Sequence, residues 1–516
     1  RSKLVGHAGG QQKNEYGRPN EMALHPWNHR QNPSLQEERS PRAHTRVHRD
    51  FMMSEEKKTI VVAGASGFIG RAIGPILGKN YRLVGLSRSA GRAQEGYASF
   101  RHADLFALKD AQAALADADY AVYLVHSMMP SARLVQGHFG DLDLLCADNF
   151  ARAAAQNGVK QIIYLGGLLP PEGALSDHLE SRAEVERALG STGVPVTCLR
   201  AGLVVGARGS SFQMLVRLVR RLPIMLCPSW TQTQMQPVAE SDVTKAIELV
   251  VGDQAAYGKT FDLGSPDIVT YRELMNLTGE ALELERIFIP IPLLSPGFSR
   301  LWVSLTTGAP KALVAPLVAS LKHEMTARPD YRLPLNQPTD VRSMLASAIK
   351  EDVAMRKNTE RKERPRAFEG QKKFKGTTTV RSVQRMHLPE ARDAAWASAE
   401  YMRWLPRSLN GLIRVRTLDD ERIVFRLGRR GPVLLELTPR AARSEPNRQI
   451  MRVTGGILAK ETERGRLEFR QVLDGRVLIA AIHEFEPRLP WWLYRFSQAL
   501  FHRWVMYRFG QHIRPR

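Results

Sequence analysis

Cysteine is scarce in this sequence. The 516 residues include three cysteines, Cys146, Cys198 and Cys227, which lie far apart and have no spacing typical of metal ligands. They predict neither a disulfide framework nor a metal site, and they suit a reducing compartment.

Long apolar runs are also absent. No stretch approaches the roughly 18–20 apolar residues that a membrane-spanning helix needs. The first residues lack the apolar segment of a secretory signal. We therefore expect a cytoplasmic protein without a transmembrane segment.

Acidic residues are fewer than basic ones. There are 52 Asp and Glu and 74 Lys and Arg, which gives a formal net charge of +22. Such an excess often indicates binding to nucleic acid or to a membrane surface. Much of the positive charge here lies in residues 1–50 and 356–375, and the rest is scattered. We interpret it as a solvated basic surface and expect no nucleic-acid partner.

The pattern of apolar and charged residues divides the chain into four parts. Residues 1–56 show no periodicity and predict a disordered extension. Residues 57–345 alternate strand-length apolar runs with helical stretches, which is typical of an α/β domain with a parallel sheet, and residues 206–345 would form its substrate portion. Residues 346–375 predict a charged, solvated helix or linker. Residues 376–516 predict an α+β domain, with an antiparallel sheet wrapped on a long helix that starts at Trp491.

A glycine-rich segment follows the first predicted strand, Thr59–Ala63. Gly64 permits a tight turn, Gly67 lets the backbone approach a pyrophosphate, and Gly70 lets the following helix pack closely on the sheet. The pyrophosphate would meet free N–H groups and the positive end of the helix dipole. The segment therefore predicts a Rossmann-type dinucleotide site, with contacts from Gly64, Ser66, Gly67, Phe68, Ile69 and Gly70.

The end of the second predicted strand indicates which dinucleotide binds. An acidic residue there would accept the ribose hydroxyls of NAD, but this chain has Ser87 and Arg88. A guanidinium can bind a 2′-phosphate through two hydrogen bonds, so NADP(H) is favoured over NAD(H). The alternative is that Arg88 is only a solvated side chain in a loop and binds no ligand. Asp104 and Leu105, after the third strand, suit a contact with adenine.

These residues resemble the short-chain dehydrogenase/reductase superfamily, in its atypical and extended branch. The resemblance covers roughly residues 57–330. Beyond the glycine loop it includes Asp104-Leu105, Tyr123-Leu124-Val125-His126, Tyr164-Leu165-Gly166-Gly167, Arg200–Gly206, Gln236-Pro237-Val238, Asp242-Val243 and Phe261–Gly264. It implies a Rossmann fold with a nicotinamide cofactor that meets Val125 and His126. The whole chain is similar to a bacterial subgroup that fuses this domain to a small C-terminal domain.

The sequence departs from the superfamily at the catalytic positions. Working members use a tyrosine and, four positions later, a lysine, together with a Ser or Thr at the end of the fifth strand. Here the strand ends in two glycines, and His178 and Arg182 occupy the pair. They lie one turn apart on one helix face, where a histidine could exchange a proton near neutrality. The pair is either an acid–base pair or a surface pair without chemistry, and His126 and Tyr164 are further candidates for proton transfer.

The C-terminal part resembles the START-like helix-grip fold, which often leaves an apolar cavity. Its last helix places Leu493, Phe496, Leu500 and Trp504 on one stripe. We favour a helix that fills the concave face of the sheet. The alternatives are a pocket for a hydrophobic ligand and, less favoured, contact with a membrane surface.

Two functions follow from these patterns. The first is an NADP(H)-dependent oxidoreductase, epimerase or dehydratase that acts on a small organic substrate, with the cofactor supplying the chemistry. The second is a nucleotide-binding scaffold or redox sensor that resembles the nucleotide-binding accessory subunit of respiratory complex I. The intact glycine loop favours the enzyme, whereas the replaced catalytic pair favours the scaffold.

Overall fold

Seven parallel strands form the first sheet. They are β1 (Thr59–Ala63), β2 (Arg82–Ser87), β3 (Tyr97–His102), β4 (Tyr120–Tyr123), β6 (Gln161–Gly167), β7 (Val196–Ala201) and β12 (Thr260–Leu263). Their spatial order is β12-β7-β6-β4-β1-β2-β3, and each neighbouring pair is parallel. The predicted Rossmann-like fold is thus confirmed for this region. The chain reverses its direction of travel across the sheet between β1 and β4, where open α/β sheets bind ligands beyond the carboxyl ends of their strands.

This computed structural model describes residues 57–88, 93–126, 134–170, 173–291, 318–360 and 379–515. The predicted extension at 1–56 and the second half of the predicted linker, 361–375, lie outside the described residues. Within these ranges no helix has both the length and the apolar content to cross a bilayer.

Helices cover both faces of the first sheet. They are α1 (Phe68–Leu77), α2 (Leu108–Ala114), α3 (Phe139–Gln156), α4 (Asp177–Gly190) and α6 (Glu240–Val250). One apolar cluster joins the strands to α1 and α6, and another joins them to α2, α3 and α4. The central strand β1 is mostly β-branched and wholly buried, as expected for a sheet covered on both faces.

The described residues of the range 202–360, apart from α6 and β12, form an irregular second layer. It contains helices α5 (Ser210–Arg221), α7 (Tyr271–Ala281) and α8 (Val341–Glu360), and strands β8 (Val204–Val205), β9 (Ile224–Pro228), β10 (Gln234–Met235), β11 (Val238–Ala239), β13 (Val269–Thr270) and β14 (Ile287–Ile291). The helical option for the charged segment after residue 345 is correct as far as Glu360. However, this segment is not merely solvated, because Ala348 and Ile349 are buried in an apolar cluster.

The C-terminal sheet is mixed. Its strands are β15 (Val380–His387), β16 (Ile413–Thr417), β17 (Ile423–Leu427), β18 (Val433–Pro439), β19 (Arg448–Gly455), β20 (Ala459–Lys460), β21 (Arg466–Val472) and β22 (Val477–Pro487). These strands pair antiparallel in the order β16-β17-β18-β19-β21-β22-β15, and β20 pairs with β22. Helices α9 (Ala394–Ser408), α10 (Trp491–Phe496) and α11 (Gln498–Ile513) complete this part.

A strand from the N-terminal part extends the C-terminal sheet. Strand β5 (Leu134–Gln136) lies just after β4 in the chain, yet it pairs in parallel with β15. The apolar cluster around α3 continues into Val383, Val472 and Ile479 of the second sheet. Glu56–Arg516 accordingly forms one compact unit.

The last helix differs from the prediction in two ways. It is interrupted at Ser497, which separates α10 from α11. The predicted stripe does not fill the sheet, because Phe496, Leu500 and Trp504 are exposed. Instead, α11 buries the side that carries Ala499, Val505, Met506, Phe509 and Ile513. A helix that is apolar on both sides gives no periodicity by which sequence can choose the inner face.

Candidate dinucleotide and proton-transfer site

The glycine loop connects β1 to α1 beside the end of β4. Gly64 has a φ of +88°, which favours glycine. A Cβ on Gly64 would lie 3.0 Å from the carbonyl oxygen of Leu124, and the Leu124 amide donates to the Ala63 carbonyl at 2.9 Å. The turn therefore needs glycine for both its backbone angle and its closeness to the segment after β4.

Gly67 and Gly70 differ in what surrounds them. A Cβ on Gly70 would lie 2.3 Å from the Gly64 carbonyl oxygen and 2.6 Å from the Ala65 Cα, so this residue lets helix and loop touch. Among the described residues, a Cβ on Gly67 would meet one atom within 4 Å, the Gly64 oxygen at 3.1 Å. Gly67 is the N-cap of α1, whose first amides lack partners within the helix. It thus faces open space at the positive end of a helix, as an anion site requires.

The loop also touches the second layer. The ring of Phe68 lies close to Gly206 and Gly209. A Cβ on Gly206 would be 2.7 Å from this ring, and a Cβ on Gly209 would be 3.1 Å from it. Arg71 donates to the Ser66 carbonyl at 2.9 Å and holds the loop from the helix side. Ile69 is buried in the core. Among the predicted contacts of the loop, Phe68 and Ile69 therefore have structural roles through their side chains.

The residues predicted to bind the adenosine end lie at the same edge of the sheet. Arg88 is exposed directly after β2. Asp104 follows β3, but its carboxylate accepts a hydrogen bond from Arg381 of the C-terminal part at 2.8 Å. Leu105 is buried, and its carbonyl accepts from Asn149 at 2.8 Å. An adenine contact would therefore share Asp104 with the second sheet.

Two histidines, an arginine and an aspartate meet beyond the ends of β4 and β6. Arg182 donates to Asp143 and lies 2.8 Å from His126 Nδ1, which is also 2.8 Å from Asp143 Oδ2. The rings of His126 and His178 are 5.2 Å apart. The structure thus brings His126, predicted as a separate candidate, together with the predicted His178–Arg182 pair. Because Arg182 and Asp143 are buried, the His178–Arg182 pair is not a surface pair.

The tautomer of His126 decides its hydrogen bonds. Nδ1 either accepts from Arg182 or donates to Asp143, since a guanidinium can only donate. In the first case the proton is on Nε2. Among the described residues, neither Nε2 of His126 nor Nδ1 of His178 has a hydrogen-bond partner. Two buried imidazole nitrogens are therefore left for a ligand.

Burial keeps both imidazoles neutral. It lowers the pKa of His126, and the charge of Arg182 lowers it further, against the opposing effect of Asp143. Burial, with His126 and Arg182, lowers the pKa of His178 to about 3. The expectation that His178 titrates near neutrality is therefore wrong for the unliganded protein. A neutral imidazole can still donate a hydrogen bond to a reacting oxygen.

Sequence reasoning missed Asp143, Ser181 and Phe139. Ser181 donates to Asp143 at 3.3 Å, and the Phe139 ring lies 6.4 Å from each of the two imidazoles. Asp143 lies in a helix of otherwise mainly apolar residues, and a buried acid in such a helix could have indicated a partner cation. Tyr164, the remaining candidate for proton transfer, is buried and donates to the Arg182 carbonyl at 3.3 Å, which is a packing role.

Comparison with known proteins finds one matching family and one curated relative. Residues 56–296, slightly less than half of the chain, match the NmrA-like family. A segment of 113 residues is 31% identical to the auxiliary protein GraX of Staphylococcus aureus. It covers 22% of this chain and 37% of that relative, so the chain spans well under two thirds of the relative's length.

Solved structures with a similar fold include three enzymes. A nucleoside-diphosphate-sugar epimerase from Staphylococcus aureus is 19% identical, with a TM-score of 0.46, over 56% of this chain and 99% of its own. The Citrobacter sp. triphenylmethane reductase complexed with NADP(H) is 20% identical, with a TM-score of 0.45, over 56% and 99%. An NADPH-dependent quinone oxidoreductase from Escherichia coli, complexed with NADPH, is 18% identical, with a TM-score of 0.45, over 56% and 98%.

Proposed function

We propose that residues 57–345 bind NADP(H) and that the chain is an oxidoreductase acting on a small, hydrophobic organic molecule. The observation that carries the proposal is the junction of the glycine loop with the histidine cluster. Gly64 contacts Leu124, and His126 follows Leu124 by two residues. A dinucleotide with its pyrophosphate at Gly67 would therefore extend its nicotinamide along the end of β4 toward His126 and His178.

Each part of the site has a task in this proposal. The bound cofactor supplies the hydride. The amides of the first turn of α1, beside Gly67, bind the pyrophosphate, and Arg88 binds the 2′-phosphate. Arg182 and Asp143 hold His126 in place, while His178 and His126 donate hydrogen bonds toward the reacting oxygen. Phe68 packs against the Gly206–Gly209 turn and so fixes the glycine loop against the second layer.

The C-terminal part supports a hydrophobic ligand. An apolar cavity of about 120 Å³ lies between the second sheet and the last two helices, lined by residues such as Tyr401, Phe425, Leu437, Tyr494 and Val505. Its polar groups are few and include Gln498, whose buried Oε1 has no partner among the described residues. His502 also lines it, and burial lowers the pKa of that imidazole to about 4. The cavity therefore suits an uncharged, mainly apolar molecule, consistent with the START-like resemblance.

A second function is favoured by the hydrogen bonds that Arg182 already makes within the protein. In a working catalytic pair the residue at this position holds the ribose, whereas Arg182 is buried and donates to Asp143 and His126. The strand before it ends in Gly166 and Gly167, which provide no hydroxyl. These features suit a nucleotide-binding scaffold or redox sensor that does not turn over.

We expect NADPH to bind more tightly than NADH, because Arg88 replaces the acid that would bind ribose hydroxyls. Arg88→Ala should weaken NADPH binding by about 1–3 kcal/mol and leave NADH nearly unchanged. Calorimetric titration of both cofactors measures this difference. Arg82→Ala, at the opposite end of the same strand, is the matched control. Equal affinities in the parent protein would contradict the role of Arg88.

We expect His178→Leu to slow turnover by about 10²–10³-fold, the usual cost of losing one hydrogen-bond donor to a reacting oxygen. His178→Gln should stay within about tenfold of the parent, because an amide also donates. Since the pKa of His178 lies far below neutrality, the parent rate should not fall between pH 8 and 6 through this group. NADPH consumption in a screen of carbonyl and quinone compounds provides the assay, with His387→Leu, an exposed histidine, as control. A complete absence of turnover would favour the scaffold.

A further inference from the structure

The last two helices present a large apolar face to solvent. Trp492 is 67% exposed, Phe496 69%, Trp504 46% and Tyr507 64%. Leu500, Trp504 and Tyr507 are spaced four and three residues apart and therefore form one stripe along α11. Phe501 stacks on Trp504 at 5.9 Å. Such a contiguous face is unusual for a surface with no partner.

This face is additional to the one that α11 uses for folding. The helix already packs Val505, Met506 and Phe509 into the core. A helix that is apolar on opposite sides is typical of one that is buried on both sides. The inner side is satisfied by the second sheet, so the outer side calls for another apolar medium.

The charges that the last two helices themselves carry all have one sign. From Pro487 to Pro515 the sequence contains no Asp or Glu, but it contains arginines at positions 488, 495, 503, 508 and 514. Arg503 and Arg508 are exposed and lie on either side of the Leu500–Tyr507 stripe. The Arg495 guanidinium is 5.6 Å from the Phe496 ring. An apolar stripe of aromatic rings between arginines is the pattern of a helix lying in a membrane interface.

We propose that α10 and α11 dock the protein on the surface of a membrane that contains anionic lipids. Trp492, Phe496, Leu500 and Trp504 would enter the boundary between headgroups and acyl chains, and Arg503 and Arg508 would bind lipid phosphates. A second copy of this chain fits the face less well. A two-fold contact through the same patch would bring the arginines of both copies together without any acid to pair them.

Flotation of the full chain with lipid vesicles tests the proposal. The protein should float with vesicles of phosphatidylcholine and phosphatidylglycerol and much less with phosphatidylcholine alone. Arg503→Gln with Arg508→Gln should weaken binding to the anionic vesicles by about thirtyfold, at roughly fivefold for each arginine. Trp492→Ser with Trp504→Ser should weaken it on both kinds of vesicle. Because these side chains are exposed, the variants should remain folded by circular dichroism.

Matched controls are available elsewhere on the surface. Arg82→Gln with Arg187→Gln removes the same charge, and Leu249→Ser removes an exposed apolar side chain on α6. These variants should bind vesicles like the parent. The proposal would be overturned if the parent bound neutral vesicles as strongly as anionic ones. It would also be overturned if the control variants bound as weakly as the helix variants, or if the parent did not bind vesicles at all. Sedimentation equilibrium of the lipid-free protein covers the remaining case, since a dimer abolished by the tryptophan variant would identify the face as a contact between copies.

Discussion

Replacing Arg470 with methionine is expected to lower the free energy of unfolding by about 3–5 kcal/mol, because it removes the guanidinium that the buried carboxylates of Asp148 and Glu468 share. Arg470 is wholly buried, as is Glu468 on the same strand. Its guanidinium donates to Asp148 at 2.5 Å and to Asn149 at 2.6 Å, both on α3, and to Glu468 at 2.8 Å. A loss of this size is a large share of the roughly 5–15 kcal/mol that stabilises most proteins.

The same network should make the two sheets unfold together. The network joins α3 of the first part to β21 of the second, so its loss weakens the contact between the two parts. Urea unfolding followed by tryptophan fluorescence and circular dichroism should give one transition in the parent, shifted to lower urea in the variant. Arg429→Met, exposed in the turn between β17 and β18, is the control.

The pH dependence of this effect has a defined sign. Burial would raise the pKa of Glu468, but the guanidinium groups of Arg470, Arg448 and Arg466 lower it well below its usual range. A lowered carboxyl pKa contributes stability that is complete above the unfolded pKa and is lost as the pH falls through the folded one. The parent should therefore keep this contribution to more acidic pH than Arg470→Met. Identical acid-unfolding midpoints would mean that the network does not stabilise the fold.

The first sheet could be predicted because its signals are local. The apolar run of β1, the glycines and the helix after them follow one another directly, and the predicted strand has the bounds that the structure shows. By contrast, β5 is three residues long, and what makes it a strand is its partner β15, some 250 residues later in the chain. No periodicity within three residues can indicate such a pairing, so the joining of the two sheets was not predictable from the sequence.

The candidate site was predictable in part for the same reason. His126, His178 and Arg182 follow from their positions after strands. Asp143, which holds two of them, was missed because it lies near the start of α3. Acids in a first turn are usually explained by the helix dipole. Its burial against Arg182 depends on how α3 packs beside α4, and local sequence carries no information on that.

Gly67→Val is expected to weaken NADPH binding by about a hundredfold or more, equivalent to about 2.8 kcal/mol, while the protein stays folded. The Cβ of valine would have one close neighbour, the Gly64 oxygen at 3.1 Å, so the loop can adjust to it by a small shift. The two methyl groups would then occupy the open space at the start of α1. A pyrophosphate needs that space to reach the backbone amides.

Two further variants separate the lost ligand contact from a damaged loop. Gly190→Val, at the end of α4, has a single neighbour for its Cβ, Val196 at 3.8 Å, and should bind NADPH like the parent. Gly70→Ala places a Cβ 2.3 Å from the Gly64 carbonyl oxygen, where backbone must move, and should lower the melting temperature as well as the affinity. Calorimetry and thermal unfolding of the three variants give the comparison. If Gly67→Val is folded and binds NADPH with the parent's affinity, the pyrophosphate does not bind at the start of α1, and the proposed cofactor site is wrong.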